Sequence, residues 1–164
     1  MLRSLFEWAD AQPSSIAIRE SIYGWPYLLT SHAVFMALFA GLIIMMDLRL
    51  MGVGFKRIPL SQIQRQMFPW QMAAFGLSVA TGLTLLWAKP MVYYGRWFFW
   101  IKMTLMFLAG VNSIAFHLGT YKTVAAWDTS SRPPMGARLA GAFGLALWAA
   151  VVFFGRITAY NWWD

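Results

Sequence analysis

Four ionisable side chains fall inside long apolar stretches of this chain, where a charged side chain is costly to bury. They are His32, Lys102, His117 and Arg156, and Asp47 stands at the end of the first stretch. A neutral imidazole is a common metal ligand, and a lysine that has lost its proton offers an amine to the same kind of site. His32 and Lys102 are therefore the leading candidates for chemistry, each as a possible metal ligand.

Helix geometry sorts these residues into two layers. His32 and Lys102 each lie six residues into their stretches, which places them about 9 Å deep from the same side. Asp47 and His117 each lie 21 residues past the same starting points, roughly 31 Å along the helix. The two histidines therefore cannot bind one metal from opposite faces within one chain. His117 and Asp47 form a possible second site, in which Asp47 orients His117 or relays protons.

Each candidate also has a purely structural explanation. A buried histidine is often satisfied by a neighbouring hydroxyl or carbonyl, and a lysine about 9 Å deep can extend its ammonium to the interface. Asp47 can equally cap its helix on the cytoplasmic side, with Arg49 reaching a lipid headgroup. The residues alone leave these alternatives open.

Composition places these residues in a membrane protein. Apolar residues make up 60% of the 164-residue chain and charged residues 12%, about half the charge of a usual soluble domain. Four stretches are long and apolar enough to cross a bilayer as helices, at about residues 26–46, 68–88, 97–118 and 138–160. Small residues recur in the second and fourth stretches, which permits close helix contacts. The predicted fold is an all-α integral membrane protein, an antiparallel bundle of four transmembrane helices.

Residues 1–25 are predicted to form a separate segment ahead of the transmembrane domain at 26–164. Leu2, Leu5 and Phe6 recur at helical spacing, which predicts a short amphipathic helix lying on the membrane surface. Pro13 begins a second short helix. Acidic residues interrupt the first run, so it does not have the apolar core of a cleavable signal peptide.

Charge asymmetry predicts the orientation of the bundle. Seven lysines and arginines flank one side of the four stretches and four flank the other, so the positive-inside rule places both termini outside the cytoplasm. Tyrosine and tryptophan, which anchor helices at membrane interfaces, cluster on that outer side. The cytoplasmic cations are Arg49, Lys56, Arg57, Arg65, Lys122, Arg132 and Arg138, and the outer aromatics are Tyr23, Trp25, Tyr27, Trp87, Tyr93, Tyr94, Trp97, Tyr160, Trp162 and Trp163.

The same composition excludes several classes of function. The net charge of +7 suits loops and anionic lipid headgroups, and no basic stretch is long enough to follow a nucleic acid backbone. The chain has no cysteine, which excludes disulfide scaffolds, thiolate zinc sites and iron–sulfur clusters. Met45, Met46 and Met51 cluster at the inner end and offer an alternative site for copper(I).

Two motifs carry a resemblance to known families. The run His32-Ala-Val-Phe-Met-Ala-Leu-Phe-Ala-Gly41, followed by Asp47-Leu-Arg49, resembles the first span of a family of small uncharacterised bacterial membrane proteins with four helices. Arg96-Trp-Phe-Phe-Trp-Ile-Lys102, with His117 fifteen residues later, resembles that family's third span. This likeness covers nearly the whole chain. Both motifs are also similar to HemJ-type protoporphyrinogen oxidases, and the first span is more loosely similar to CopD-type copper-resistance domains.

The HemJ resemblance implies a cofactor and its ligands. HemJ-type proteins hold haem b through the first-span histidine and the third-span lysine, which correspond here to His32 and Lys102. A haem site also needs cations for its propionates and an apolar slot for its ring. Arg96 and Arg156 are expected near the propionates, and the expected ring-lining residues are Trp97, Trp100 and Phe35. The chain departs from the HemJ pattern in having Phe39 where a tryptophan is usual.

These observations predict a b-type haem protein that takes part in electron transfer in the bacterial inner membrane. A quinone or a redox protein is its expected partner, and copies of the chain are expected to associate. One alternative is a haem-dependent porphyrinogen or quinone-linked oxidoreductase. Others are a copper-handling protein that uses the methionine cluster with His117, or an accessory subunit of a respiratory assembly.

Overall fold

The computed structural model describes residues 1–158, and this part of the chain is helical without strands. Seven α-helices follow one another, with one 3₁₀ helix before the last. They are α1 (Leu2–Asp10), α2 (Pro13–Glu20), α3 (Gly24–Leu50), α4 (Leu60–Ala88), α5 (Pro90–Tyr94), α6 (Trp97–Leu118), the 3₁₀ helix (Thr120–Ala126) and α7 (Met135–Ile157).

Four of these helices, α3, α4, α6 and α7, are long and apolar enough to cross a membrane, as the sequence predicts. The third of these helices, α6, has the predicted bounds, whereas the second, α4, begins at Leu60 and not near residue 68. The residues before 68 are mainly polar but favour helix, so they extend α4 beyond its apolar part. The predicted end of the fourth span at Tyr160 lies outside the described residues, as do Trp162 and Trp163.

The four long helices pack in the order α4, α3, α7, α6. Helix α3 packs against both α4 and α7, and α7 packs against α6, but α4 and α6 make no extensive contact with each other. An apolar cluster of Phe39, Ala74, Ala109, Trp148 and Val151 fills the middle. Because α4 and α6 stay apart, a gap runs between them with α3 and α7 as its floor.

Helices α3 and α7 approach each other closely near Asp47, at the side of the molecule called here the Asp47 end. A Cβ atom on Gly144 would lie 2.6 Å from Asp47 Oδ2, and one on Gly141 would lie 2.7 Å from the Asp47 backbone oxygen. Only glycine fits at these two positions. The close helix contact expected from the small residues of the fourth span is therefore present.

Helices α1 and α2 pack at the opposite side, called here the His32 end. Ser15 is fully buried and its hydroxyl donates to the backbone oxygen of Trp87 at 2.8 Å, near the end of α4. The Trp87 indole in turn donates to Ser14 Oγ at 3.1 Å. Phe6 on α1 packs against Tyr94 on α5, with ring centroids 5.1 Å apart. The two helices predicted on either side of Pro13 are confirmed, and they brace α4 and α5.

A buried arginine ties the loops of the Asp47 end together. Arg49 is fully buried and donates to the backbone oxygens of Ile58 at 3.1 Å, Asp128 at 2.9 Å and Ser130 at 3.3 Å. The Asp128 carboxylate accepts from the Ser61 backbone N–H at 2.7 Å, at the start of α4. The expectation that Arg49 reaches a lipid headgroup is wrong, because its guanidinium is used inside the protein.

Candidate functional site

His32 on α3 is held against α4 in one defined state. Its Nδ1 lies 2.9 Å from Thr81 Oγ1. The Thr81 hydroxyl donates its single proton back to α4, to the backbone oxygen of Leu77 at 2.7 Å with that of Ser78 at 3.1 Å. We assign the Thr81 oxygen as the acceptor towards His32, which places the proton of the neutral ring on Nδ1. Nε2 is left with a lone pair, the form that binds a metal.

A cavity of about 150 Å³ lies beside His32, in the gap between α4 and α6. His32 and Lys102 both line it, and all four long helices contribute to its wall. The rest of the lining is almost wholly apolar, and it consists mainly of methionine, leucine and aromatic side chains: Met36, Phe39, Phe75, Val79, Leu83, Leu86, Phe99, Met103, Met106 and Trp148, with Ser78 and Gly82.

A second cavity of about 110 Å³ adjoins the first towards the His32 end. The two share five lining residues, which include His32, Lys102 and Phe99, so they form one chamber. Tyr93 and Thr158 make this second part more polar. Burial raises the pKa of the Tyr93 phenol, an effect that the nearby Arg96 opposes, so the hydroxyl is a neutral donor at physiological pH.

The chamber opens sideways to the surface of the protein. Leu83 and Phe75 on α4 and Met103 on α6 line it, yet their side chains are 61%, 39% and 43% exposed. They lie on the two helices that stay apart. A molecule dissolved in a surrounding bilayer would therefore reach the chamber between α4 and α6.

Lys102 extends into the chamber along α7. A Cβ atom built on Gly155 would lie 3.7 Å from the Lys102 side-chain carbons, so the lysine side chain passes α7 at ordinary van der Waals distance. Within residues 1–158, its amine has neither a hydrogen-bond partner nor a carboxylate in ion-pair range. The amine is thus available to a ligand in the same chamber as His32 Nε2.

The position of His32 depends on a glycine in α4. A Cβ atom on Gly82 would lie 3.0 Å from His32 Cε1, whereas one on Gly76 would meet nothing within 4 Å. We expect Gly82→Ala to push the imidazole away from Thr81 and to destabilise the protein by about 1–3 kcal/mol, the usual cost of overpacking. Gly76→Ala, on the same helix, is the control, and a denaturant titration is expected to show equal stability or a gain of up to about 1 kcal/mol, because alanine favours helix over glycine.

The tautomer of His32 is open to a direct measurement. We expect Thr81→Val to remove the acceptor at Nδ1 and to increase the population that carries the proton on Nε2. Thr84→Val is the matched control, because Thr84 also donates to the carbonyl four residues earlier, at 2.9 Å, but does not contact His32. The ¹⁵N shifts of the imidazole nitrogens, assigned with the aid of His117→Ala, report the change. An unaltered shift in Thr81→Val would contradict the assignment.

The three aromatic residues predicted to line a haem ring are not part of the chamber wall. Trp97 and Trp100 are exposed, and neither is part of the chamber wall, nor is Phe35. The other α6 residues that face the chamber lie three positions before, one after and four after Lys102. Trp97 and Trp100 lie about 140–160° around the helix axis from Lys102. The Trp100 indole instead donates to the Tyr94 backbone oxygen at 3.0 Å.

The two arginines predicted for an anionic group both lie outside the chamber wall. Arg96 donates to the backbone oxygen of Thr158 and so joins the start of α6 to the end of α7. Arg156 is an exposed residue in the last turn of α7. Both stay at the His32 end, as the sequence suggests, but no residue of either cavity lining is an arginine.

Within the described residues, His117 and Asp47 form no hydrogen bond or ion pair with each other. His117 Nδ1 donates to the Ser113 backbone oxygen at 2.8 Å, and its Nε2 lies 3.4 Å from Gln64 Nε2. The side chain of Asp47 is buried against Gly144, where its Oδ2 has no hydrogen-bond partner within the described residues. The contacts of each therefore differ from those expected for a shared second site.

The methionine cluster at the Asp47 end also serves packing. Met46 is buried in an apolar cluster with Leu50, Leu60 and Phe116. In residues 1–158 no group of three or more histidines and carboxylates has the arrangement of a metal site.

Sequence reasoning missed Thr81, Gly82, Tyr93 and Trp148. Thr81 and Gly82 lie six to seven residues from the end of α4, the same depth as His32, so a search for a hydroxyl at that depth would have found Thr81. Tyr93 was assigned to the aromatic belt, and Trp148 gives no signal that distinguishes it from core packing.

Comparison with known proteins assigns the chain to a family but not to an activity. No curated protein and no solved structure matches it. The resemblance to HemJ-type and CopD-type proteins gains no support from these comparisons. A family model does match nearly the whole chain, from residue 5 to residue 161. The chain belongs to DUF6644, a family of unknown function.

Proposed function

We propose that this protein is a b-type haem protein of the bacterial inner membrane that takes part in electron transfer. In this proposal α3, α4, α6 and α7 form an antiparallel transmembrane bundle with both termini in the periplasm. One observation carries the proposal: His32 Nε2 and the Lys102 amine are both available in one apolar chamber. The sequence resemblance supplies the identity of the cofactor.

The residues present fit haem by donor type and polarity. An imidazole and an amine are both nitrogen donors, and the methionine and aromatic lining suits an apolar ring. The first cavity of the chamber, about 150 Å³, is near the size of an engineered cavity that takes up benzene. A porphyrin is larger than that, so its binding depends on the lateral opening between α4 and α6.

Several residues of the chain would each have a distinct role in such a site. Thr81 fixes the tautomer of His32, and Gly82 lets the imidazole lie against α4. Lys102 would bind as a neutral amine, because only the unprotonated form has a lone pair for a metal. Bound haem b would supply a one-electron redox couple.

An absorption spectrum of the purified protein tests the proposal. The chain is produced in cells supplied with haem precursors, and the spectrum is recorded oxidised and then reduced. We expect a Soret band that shifts on reduction. A protein that folds, as shown by circular dichroism, but carries no Soret band under these conditions would refute the haem assignment.

The lateral opening favours a second candidate, an oxidoreductase that acts on a porphyrinogen or a quinone. Such substrates are found in or near the membrane, and the gap between α4 and α6 gives them a route to His32 and Lys102. Complementation of a bacterial strain that lacks protoporphyrinogen oxidase tests the porphyrinogen activity. If the haem-loaded protein fails to complement this strain, the porphyrinogen activity is excluded and the electron-transfer proposal remains.

A further inference from the structure

The exposed charges of the Asp47 end are all positive in the described part of the chain. Six lysines and arginines lie on this surface with exposed side chains: Lys56, Arg57, Arg65, Lys122, Arg132 and Arg138. Two carboxylates are found there. Asp47 is buried, and Asp128 is engaged by the backbone N–H and the hydroxyl of Ser61, at 2.7 and 2.5 Å. The surface therefore presents cations that no exposed carboxylate offsets.

Apolar side chains stand among these cations on the loop between α3 and α4. Val53, Phe55 and Ile58 are 65%, 42% and 38% exposed, on either side of Lys56 and Arg57. A surface that combines exposed apolar side chains with cations is typical of a segment that inserts at the boundary between lipid headgroups and acyl chains.

The backbone of this loop is held in place from below. The Leu48 backbone oxygen accepts from the N–H groups of Val53 at 3.0 Å and Gly54 at 3.2 Å. Gly52 adopts φ +73°, and a Cβ atom there would meet the Ser131 backbone oxygen at 3.0 Å. Together with the bond from Arg49 to Ile58, these contacts fix the loop before any ligand binds.

Phe55 is in a backbone conformation that does not favour its side chain. Its φ of +54° lies in the left-handed region, where glycine is far more favourable than a bulky aromatic residue. The position would be more stable with glycine if only the turn mattered. An exposed phenylalanine held there indicates that the ring itself is used.

We propose that the loop of residues 52–58, with the surrounding cations, binds the phosphate headgroups of anionic phospholipids while Phe55 enters the acyl region. Charge complementarity selects an anionic partner, and the exposed apolar side chains select a lipid over free phosphate. The site lies at the opposite end from His32 and does not depend on haem.

The test measures lipids retained by the full chain in detergent micelles, by native mass spectrometry with phosphatidylglycerol and phosphatidylcholine supplied together. We expect wild-type protein to retain phosphatidylglycerol selectively. Each cation near an anionic surface contributes roughly five-fold in affinity. The double variant Lys56→Gln/Arg57→Gln is therefore expected to bind phosphatidylglycerol roughly thirty-fold more weakly, with phosphatidylcholine unaffected.

Two further variants separate binding from folding. Phe55→Gly is expected to leave thermal stability equal or higher, because it relieves the left-handed backbone, but to lower the retention of phosphatidylglycerol. Arg3→Gln/Lys89→Gln removes the same charge from the His32 end and is expected to retain the lipid. The proposal is overturned if this control loses as much lipid as the loop variant, or if inorganic phosphate displaces the lipid at equal concentration. Selective retention of an acidic polypeptide in place of lipid would overturn it as well.

Discussion

Replacement of His32 by alanine is expected to abolish stable haem binding, with no Soret band after purification. The reason lies in the imidazole: with Thr81 as the acceptor at Nδ1, Nε2 has the lone pair that binds iron. Lys102→Ala is expected to retain haem through His32, with a high-spin spectrum and one open coordination position. The amine is the weaker ligand because it must first lose its proton.

His117→Ala is the control for this pair. About 22 Å of α6 separates His117 from Lys102, and its ring is bonded to Ser113 and lies near Gln64. The Soret band is therefore expected to be unaltered. Loss of haem in His117→Ala together with a normal six-coordinate spectrum in Lys102→Ala would show that the ligands have been assigned to the wrong layer.

Arg49→Met is expected to cost roughly 3–5 kcal/mol in the free energy of unfolding, the largest effect expected outside the chamber. The substitution keeps an unbranched side chain of similar length but removes three hydrogen bonds to backbone oxygens, which come from two different loops. Those oxygens would lose a charged donor. Unfolding in mixed micelles, followed by tryptophan fluorescence, measures the change.

Arg65→Met is the matched substitution at the same end of the molecule. Arg65 is exposed on α4 and has no hydrogen bond or ion pair within the described residues. A change within about 0.5 kcal/mol is expected for such a surface site. Equal destabilisation by the two substitutions would mean that charge at this end, and not the buried network of Arg49, stabilises the fold.

The elements of this fold follow from hydropathy because a bilayer-length apolar run has few other structures available to it. That is why four long helices were predictable, and why the bounds of α6 agree with the sequence. The start of α4 was not predictable in this way. Hydropathy follows only the apolar part of a helix, and the polar turns at residues 60–67 continue α4 beyond that part.

The candidate site was predictable only in part. Depth along a helix follows from counting residues, so the pairing of His32 with Lys102 in one layer needed no coordinates. The direction in which a side chain points around the helix depends on which neighbours the helix packs against. Trp97 and Trp100 were assigned to the lining because they are aromatic and close in sequence, but they lie on the opposite face of α6 from Lys102.

Arg49 shows a different limit of sequence reasoning. A cation at the end of an apolar helix has the same sequence signature whether it faces lipid headgroups or turns into the protein. The hydrogen bonds to the carbonyl oxygens of Ile58, Asp128 and Ser130 show that Arg49 turns into the protein. These oxygens belong to loops, whose conformation is not indicated by any periodicity in the sequence.

The gap between α4 and α6 has a consequence for how any ligand of the chamber would gain its binding energy. If the four helices span a bilayer as proposed, the medium that fills an empty gap is acyl chain and not water. Burial of an apolar ring there releases no ordered water, so the main driving force of association in solution is absent. Affinity must then come from bonds to His32 and Lys102 and from tighter packing than lipid provides, and it will vary with the fluidity of the membrane.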